Sequence, residues 1–455
     1  MALLEELSAT QLLKATTGRC PVCQESCPAE VHLAPGSPDR VVMYRECGKH
    51  GETVSLLSSD ARFYWLSRGA QNGCCGGGTA CRASDDQPAG TLGRNAGCGG
   101  EPFETLSTCV ALIELVPSCN LACPVCYADS PEEHAAPQAI PSLENLQARV
   151  QAVIERKGRL DILQLSGGEP TLHPQFFEFL DWAQRHAEID YVLLNTNGVR
   201  IAQDKDFSGE LAGRWRKGKF QIYLQFDGVQ AAGQKELRGM DLRPMREKVL
   251  EKCEEAGIPV TLAMTVTPRT LEGLWDSVRF ALGYKAIRGL TFQPLFQSGR
   301  VAATGGRLNV ADIILALIGQ SGGVLDVEDF TPLPCGDPNC AVIGYLFKTP
   351  EGVRSIREFI NFAEVQGFLQ DRMRYDLNDL ARCGCESEPL GEMLKQLEID
   401  ERHTFRLFIK PFMDAESWDE DRIDRCCTHV IRPDGKLDSF CRYYSRFPGA
   451  AQALR

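Results

Sequence analysis

The residues of this chain best suited to chemistry are three cysteines in the stretch Val116-Pro117-Ser118-Cys119-Asn120-Leu121-Ala122-Cys123-Pro124-Val125-Cys126-Tyr127. Four thiolates fill the protein ligation of a [4Fe–4S] cluster. The spacing C-x3-C-x2-C of Cys119, Cys123 and Cys126 supplies three, so one iron keeps an open position where a substrate or cofactor can chelate. A second group, Cys20-x2-Cys23 and Cys47-Gly48-Lys49-His50, consists of two turns separated by a hairpin-sized interval. That pattern predicts a zinc-ribbon or rubredoxin-type mononuclear site for iron or zinc, with Cys27 as an alternative to His50. A third group, Cys74, Cys75, Cys81, Cys98 and Cys109, lies in the Gly-rich tract 69–109. Such a tract cannot bury enough apolar surface to fold alone. An auxiliary iron–sulfur cluster is its predicted staple, and four of these five thiols would suffice. A fourth group, Cys335, Cys340, one or both of Cys426 and Cys427, and Cys441, could ligate a second auxiliary cluster. Cys383 and Cys385 stay unassigned.

The elements that must position these groups are read from periodicity. Leu112–Leu115 is a strand running into the cysteine loop. After it come helix 142–157, strand 162–165 with Ser166-Gly167-Gly168-Glu169-Pro170, helix 174–187, strand 191–195 with Thr196-Asn197-Gly198, a helix near 207–217, and strand 221–226 with Asp227-Gly228. Helix 243–256, strand 259–266, helix 271–282 and strand 290–296 complete the series. Strands alternating with helices imply a parallel sheet, and about six such units make a partial barrel of class α/β, a (β/α)6 TIM-like arrangement. Active sites of such sheets gather at the carboxyl ends of the strands, where each motif just named falls. Gly167 and Gly168 remove side chains so that backbone can approach a ligand; Glu169 offers a carboxylate to a cationic amine. Asn197 and Asp227 are candidate ribose or amino-acid contacts, with turn capping as the alternative. Leucine spacing predicts a helix over 2–15. The expected organisation is 1–68 (helix and metal knuckle), 69–109 (cluster tract), 110–305 (barrel) and 306–455 (C-terminal auxiliary-cluster domain). Phe405, Leu407, Phe408, Ile409 and Phe412 fit either core packing or a lipid channel.

Composition narrows the function class. With 455 residues, 43% of them hydrophobic, the chain can build several cores. A net charge of −12 gives no basic footprint for nucleic acid. No run of 18 apolar residues predicts a membrane span, although peripheral membrane contact stays compatible. The acidic start Met1-Ala2-Leu3-Leu4-Glu5-Glu6-Leu7 lacks the basic region of a secretory signal, so a cytoplasmic location is expected. In that compartment the twenty cysteines argue for metal and cluster ligation rather than disulfides.

Taken together, Cys119-Asn-Leu-Ala-Cys-Pro-Val-Cys-Tyr-Ala128, Leu165-Ser-Gly-Gly-Glu-Pro-Thr-Leu-His-Pro174, Cys47-Gly-Lys-His50-Gly51, Leu224-Gln-Phe-Asp-Gly228 and Arg425-Cys-Cys-Thr-His429 resemble radical S-adenosylmethionine (SAM) enzymes. Over essentially the full chain the resemblance is to the family of archaeal tetraether lipid synthase and the class D radical SAM methylases. It implies that the open iron holds the amino and carboxylate groups of SAM, and that an electron from the cluster cleaves SAM to a 5′-deoxyadenosyl radical. It implies that Ser166 to Pro170 bind the SAM amino group and that Tyr127 holds the adenine edge through its backbone. It also implies auxiliary clusters and a reducing partner such as ferredoxin or flavodoxin. The expected reaction is hydrogen abstraction from an unactivated C–H bond, with C–C bond formation on a lipid chain as first choice. The alternatives are methylation of a pterin from a folate-type donor, and modification of a peptide.

Overall fold

The computed structural model describes residues 10–66, 108–132, 140–301, 306–332, 336–349, 352–359 and 403–445. Its N-terminal unit is an antiparallel meander of β1 (Gln11–Arg19), β2 (Ser26–Ala34), β3 (Arg40–Cys47) and β4 (Gly51–Ser58) in sequential order. Residues 11–15 of the expected N-terminal helix are therefore strand. Their partners explain it: Gln11 to Ala15 register against Leu33 to Glu30, and the pairing overrides a local leucine spacing that suits a helix. Positive φ at Gln24 (61°) and Gly51 (69°) turns the chain at neighbouring tips of the meander, where the metal-type residues sit.

The barrel consists of six parallel strands, β5 (Val110–Val116), β6 (Leu160–Gly167), β7 (Ile189–Thr196), β8 (Phe220–Gln225), β9 (Val260–Val266) and β10 (Ile287–Pro294). Helices such as Leu143–Lys157, Phe176–Arg185, Arg243–Ala256 and Leu274–Leu282 pack outside, as the alternating pattern predicts. Their ends follow from local chemistry. Ser142 caps the first by accepting from the Asn145 amide at 3.2 Å, and Gly158 (φ 81°) ends it. One buried apolar cluster runs between the outer faces of the strands and the helices, from Ile113 and Leu163 through Phe220 and Leu262 to Phe292.

The region after residue 306 builds onto the barrel. Its strands β11 (Thr331–Pro332), β12 (Val342–Thr349), β13 (Gly352–Ser355), β14 (Thr404–Ile409), β15 (Thr428–Ile431) and β16 (Leu437–Ser439) join the barrel sheet. β14 adds parallel to β10 and β15 parallel to β5, so both edges of the six-stranded sheet are covered. An open sheet leaves rows of unpaired amides and carbonyls at its edges, which is the physical reason for this addition. Lys410 Nζ donates to Thr428 Oγ1 at 3.0 Å between the two added edges. The meander docks on the same region: Lys14 Nζ lies 2.6 Å from Asp419 and 3.0 Å from Asp421, Thr16 donates to Asp419 at 2.7 Å, and buried Arg45 donates to the Glu416 carbonyl. Among the described residues no helix is long and apolar enough to cross a membrane.

Candidate active site

A cavity of about 350 Å³ opens at the carboxyl ends of the barrel strands and extends into the barrel. Cys119, Cys123 and Cys126 line it together with Gly167, Gly168, Glu169, Asn197 and Asp227. The loop after β5 is pinned by backbone bonds from Cys119 N–H to Pro131 O (2.9 Å) and by a reciprocal pair between Cys126 and Arg300 (2.8 and 3.0 Å). Gly167 (φ 114°) and Gly168 press β6 onto this loop. A Cβ at Gly168 would stand 1.9 Å from Ser118 O, and one at Gly167 2.3 Å from Val116 O. The Gly-Gly pair is thus explained by backbone meeting backbone.

Glu169 is buried, and its carboxylate accepts from the Thr171 hydroxyl (2.6 Å), the Thr196 hydroxyl (2.7 Å) and the Asn197 amide (2.8 Å). Burial pushes its carboxyl up, while those hydrogen bonds oppose the shift. Asn197 caps a turn and faces the cysteine loop. Its Oδ1 caps the Val199 amide at 2.9 Å, and its Nδ2 reaches Asn120 Oδ1 at 2.7 Å and Cys119 Sγ at 3.6 Å. Pro170 begins a short 3-10 turn, and Ser166 Oγ accepts from Asn195 at 3.1 Å. The Tyr127 ring packs 5.3 Å from Phe440 and 4.8 Å from Tyr444, centroid to centroid.

Asp227 lines the cavity and is paired within the protein. It has φ 61° and gives both carboxylate oxygens to Arg238 (2.7 and 2.9 Å), so it holds that guanidinium at the cavity wall. Burial works against the Arg238 charge, but Asp227 beside it keeps the guanidinium well above its usual value. Arg238 also donates to Val125 O at 3.1 Å, within the cysteine loop. Arg246, 1% exposed, donates to Asn197 O, and its Nε and Nη2 have no partner among the described residues. Burial pushes it down to about 10. Neither arginine carries a local sequence signal: each reaches the site from a helix remote from the cysteine loop.

The donor set suits the implied cluster. Burial pushes the Cys119 thiol up to about 12 and raises Cys123, so these sulfurs need an adjacent cationic centre to be thiolates. The loop carrying them is held by backbone bonds rather than by the thiols.

The two other metal-type groups separate. At the meander tips, ligand atoms of Cys20, Cys23, Cys47 and His50 all lie within 4.8 Å of one another. His50 Nδ1 is 3.6 Å from both Cys20 and Cys47 Sγ, which places His50, not Cys27, in the set. In the C-terminal region burial pushes Cys426 to about 11, with the Cys340 sulfur near enough to add to the shift, and pushes Cys441 to about 12, with Cys426 and Cys340 adding to it. Cys427 sits in a different apolar cluster from Cys426. Its carbonyl accepts from Cys109 N–H at 3.0 Å, and both residues belong to an apolar cluster with Ile343, Tyr345 and Phe347. Adjacent cysteines thus face different neighbours, as consecutive side chains of an extended chain do. Cys74, Cys75, Cys81, Cys98, Cys335, Cys383 and Cys385 lie outside the described residues.

The sequence profile of the radical SAM superfamily matches residues 113–281, the stretch that holds the cysteine loop and the Gly-Gly-Glu-Pro strand end. The chain belongs to the radical SAM superfamily. Its fold is a partial (β/α) radical SAM barrel with an N-terminal Cys/His ribbon-type metal group and a cysteine-rich C-terminal region. Residues 12–59 match a profile described as the HMPTM N-terminal zinc ribbon domain. A 7,8-dihydro-6-hydroxymethylpterin dimethyltransferase of Methanocaldococcus jannaschii is 25% identical over 94% of this chain and 93% of its own. A mycofactocin maturase of Mycobacterium tuberculosis is 29% identical over 39% of this chain and 43% of its own. Among solved structures, a radical SAM methyltransferase from Sphaerobacter thermophilus aligns with a TM-score of 0.36 at 12% identity, covering 70% of this chain and 77% of its own. SAM-bound anSMEcpe aligns with a TM-score of 0.37 at 24% identity, covering 46% and 58%. As a radical SAM enzyme, the chain has reductive SAM cleavage as its general chemistry.

Proposed function

We propose that this enzyme methylates a pterin, using a one-carbon unit from a folate-type donor. The observation that carries this reading is the inner face of the barrel. Gln164, Asn195, Gln221, Tyr223, Thr261, Thr291 and Gln293 line the cavity. Several are already oriented by one another: Tyr191 donates to Gln221 Oε1 at 3.2 Å, Gln221 donates to Thr261, and Gln293 donates to the Tyr223 hydroxyl at 3.1 Å. Neutral amides and hydroxyls both donate and accept, as the ring nitrogens, amine and carbonyl of a pterin edge require. Tyr345, Phe347 and Phe408, on the adjoining β12 and β14, offer flat apolar surface for its face. An alkyl chain would leave the remaining hydrogen-bonding capacity of those amides unmet, at a cost of about 1–3 kcal/mol for each group left unsatisfied. Nothing in the comparisons specifies a lipid. Phe405, Leu407 and Ile409 pack in the core, while Phe408 and Phe412 line the cavity. The full-length similarity to a pterin dimethyltransferase supports the same reading.

The residues have these roles in the proposal. Cys119, Cys123 and Cys126 hold the [4Fe–4S] cluster, which when bound supplies the electron for reductive cleavage of SAM. Glu169, fixed by Thr171, Thr196 and Asn197, faces the SAM amine together with the Gly167–Gly168 backbone. Arg238 and Asp227 hold Val125 and hence the last turn of the cysteine loop. Tyr127, walled by Phe440 and Tyr444, excludes water from the adenine side. Cys20, Cys23, Cys47 and His50 bind one iron or zinc, and Cys340, Cys426 and Cys441 contribute to an auxiliary cluster.

The test is an anaerobic reaction of reconstituted protein with SAM, a reductant, 6-hydroxymethyl-7,8-dihydropterin and methylenetetrahydrofolate, followed by mass spectrometry. Methylated pterin and 5′-deoxyadenosine, both lost in Cys123→Ala, are expected. Turnover of SAM that yields product from a lipid or peptide and none from the pterin would overturn the proposal.

A further inference from the structure

β14 sends Arg406, Phe408 and Lys410 into the barrel cavity on alternate positions, a cation, an aromatic ring and a second cation in one column. Lys410 is engaged, donating to Thr428 Oγ1 at 3.0 Å and facing the thiol of Cys426. Arg406 is not: its guanidinium has no ion pair or side-chain hydrogen bond among the described residues. It shares a rung with Gly289 of β10 and Tyr345 of β12. Room for it comes from Gly289, at a register shift in β10; a Cβ there would stand 2.6 Å from Arg406 O and 2.9 Å from its Cβ. Arg288, the preceding residue, also lines the cavity. Glu169 and Asp227 are the carboxylates among the described lining residues, and both are committed at the SAM end, to Thr171, Thr196 and Asn197 and to Arg238. Among the described residues the inner wall of this acidic protein thus carries at Arg406 a cation without a counter-ion, about 13 Å along the strand from Lys410.

We propose that Arg406 anchors an anionic group, phosphate or carboxylate, of the molecule that occupies the barrel. A guanidinium in a partly dehydrated cleft binds either group through paired N–H donors, and a cleft lined by one sign of charge concentrates the opposite sign. With Phe408 two residues on, the column matches a flat ring bearing an acidic substituent. The pterin reading enters only in the choice of probes.

Binding to reconstituted protein with SAM present is measured by fluorescence for three probes: 6-hydroxymethyl-7,8-dihydropterin, its monophosphate, and tetrahydrofolate as the carboxylate-bearing ring. Wild type, Arg406→Gln and Arg406→Lys are compared, with thermal melting to establish that each is folded. At least one anionic probe is expected to bind wild type about tenfold more tightly than the neutral pterin. Which one does so distinguishes phosphate from carboxylate. Arg406→Gln should erase that preference and leave the neutral pterin within about twofold; Arg406→Lys should keep part of it. Equal affinities in wild type, or a preference that survives Arg406→Gln, overturn the assignment. Inorganic pyrophosphate is the independent arm. Pyrophosphate bound by wild type and not by Arg406→Gln, with no pterin bound by either, would keep the anion site and remove the pterin reading instead.

Discussion

Gly168→Ala tests how the cysteine loop is held. A Cβ at this position would lie 1.9 Å from Ser118 O, 2.3 Å from Ser118 C and 3.0 Å from Cys119 N. These are backbone atoms, so no rotamer change relieves the clash. The Ser118 carbonyl must retreat by about 1.5 Å to reach ordinary contact. That movement breaks the bond it accepts from Glu169 N–H at 3.0 Å and carries Cys119 with it. Losing the bond costs about 1 kcal/mol, but the displacement matters more: a misplacement of about 1 Å at a reacting centre costs about a hundredfold in rate. The expected result is a folded protein that retains less iron, shows little change in the electron paramagnetic resonance of its reduced cluster when SAM is added, and forms 5′-deoxyadenosine about a hundredfold more slowly. Gly158→Ala is the control. Gly158 has φ 81° and nothing within 4 Å of a built Cβ, so alanine there pays only for backbone strain, about 1–2 kcal/mol, far from the site. If Gly168→Ala responds to SAM and turns over like wild type, the close approach of β6 to the cysteine loop is not what positions the cluster.

Arg238→Met should destabilise the protein by about 3–5 kcal/mol, because it strands Asp227 as an unpaired buried carboxylate. The double variant with Asp227→Asn should recover part of the loss in denaturant unfolding, and additive losses would contradict the pairing. Cys20→Ala should lower metal at the ribbon from about one equivalent per chain to none and speed amide exchange across β1 to β4; unchanged exchange would show that the meander folds without its metal. Burial holds the Lys348 ammonium down at about 8 against an ordinary 10.5. Between those values the unfolded chain binds more protons than the folded one, so this lysine makes stability rise with pH from about 8 to about 10.5. Lys348→Met should lack that contribution in unfolding curves taken at pH 8 and pH 10, and equal slopes would refute it.

The parts of the molecule legible in the sequence are those whose physics is local. The cysteine spacing, the Gly-Gly-Glu-Pro strand end and the alternation of strand and helix each need only a few neighbouring residues, and Cys119, Gly168 and Glu169 converge as their motifs imply. What was not legible depends on partners far along the chain. Gln11 to Ala15 are strand because Glu30 to Leu33 lie beside them. Phe405, Leu407 and Ile409 read equally well as a channel or a core until β14 is placed against β10. Asp227 reads as a free carboxylate until Arg238 comes within 2.7 Å. Cys426 and Cys427 form one motif in the sequence and face two different neighbourhoods in the fold. Arg406 carries no motif; only Gly289 beside it on β10 and the lack of a counter-ion among the described residues single it out.

The covering of both barrel edges by one downstream segment has a consequence for how the enzyme is made. β5 to β10 and the three cysteines of the SAM loop precede β14 and β15 in the chain, and domains form progressively as the chain is synthesised. The six-stranded sheet therefore stands open on both flanks while its cysteine loop is already in place. Arrival of the later segment seals one flank with β14 and the other with β15, and sets Lys410 against Thr428 between them. Assembly has a direction: Cys119, Cys123 and Cys126 can be reached through an unfinished wall, whereas Cys426 and Cys441 take their places only as that wall closes.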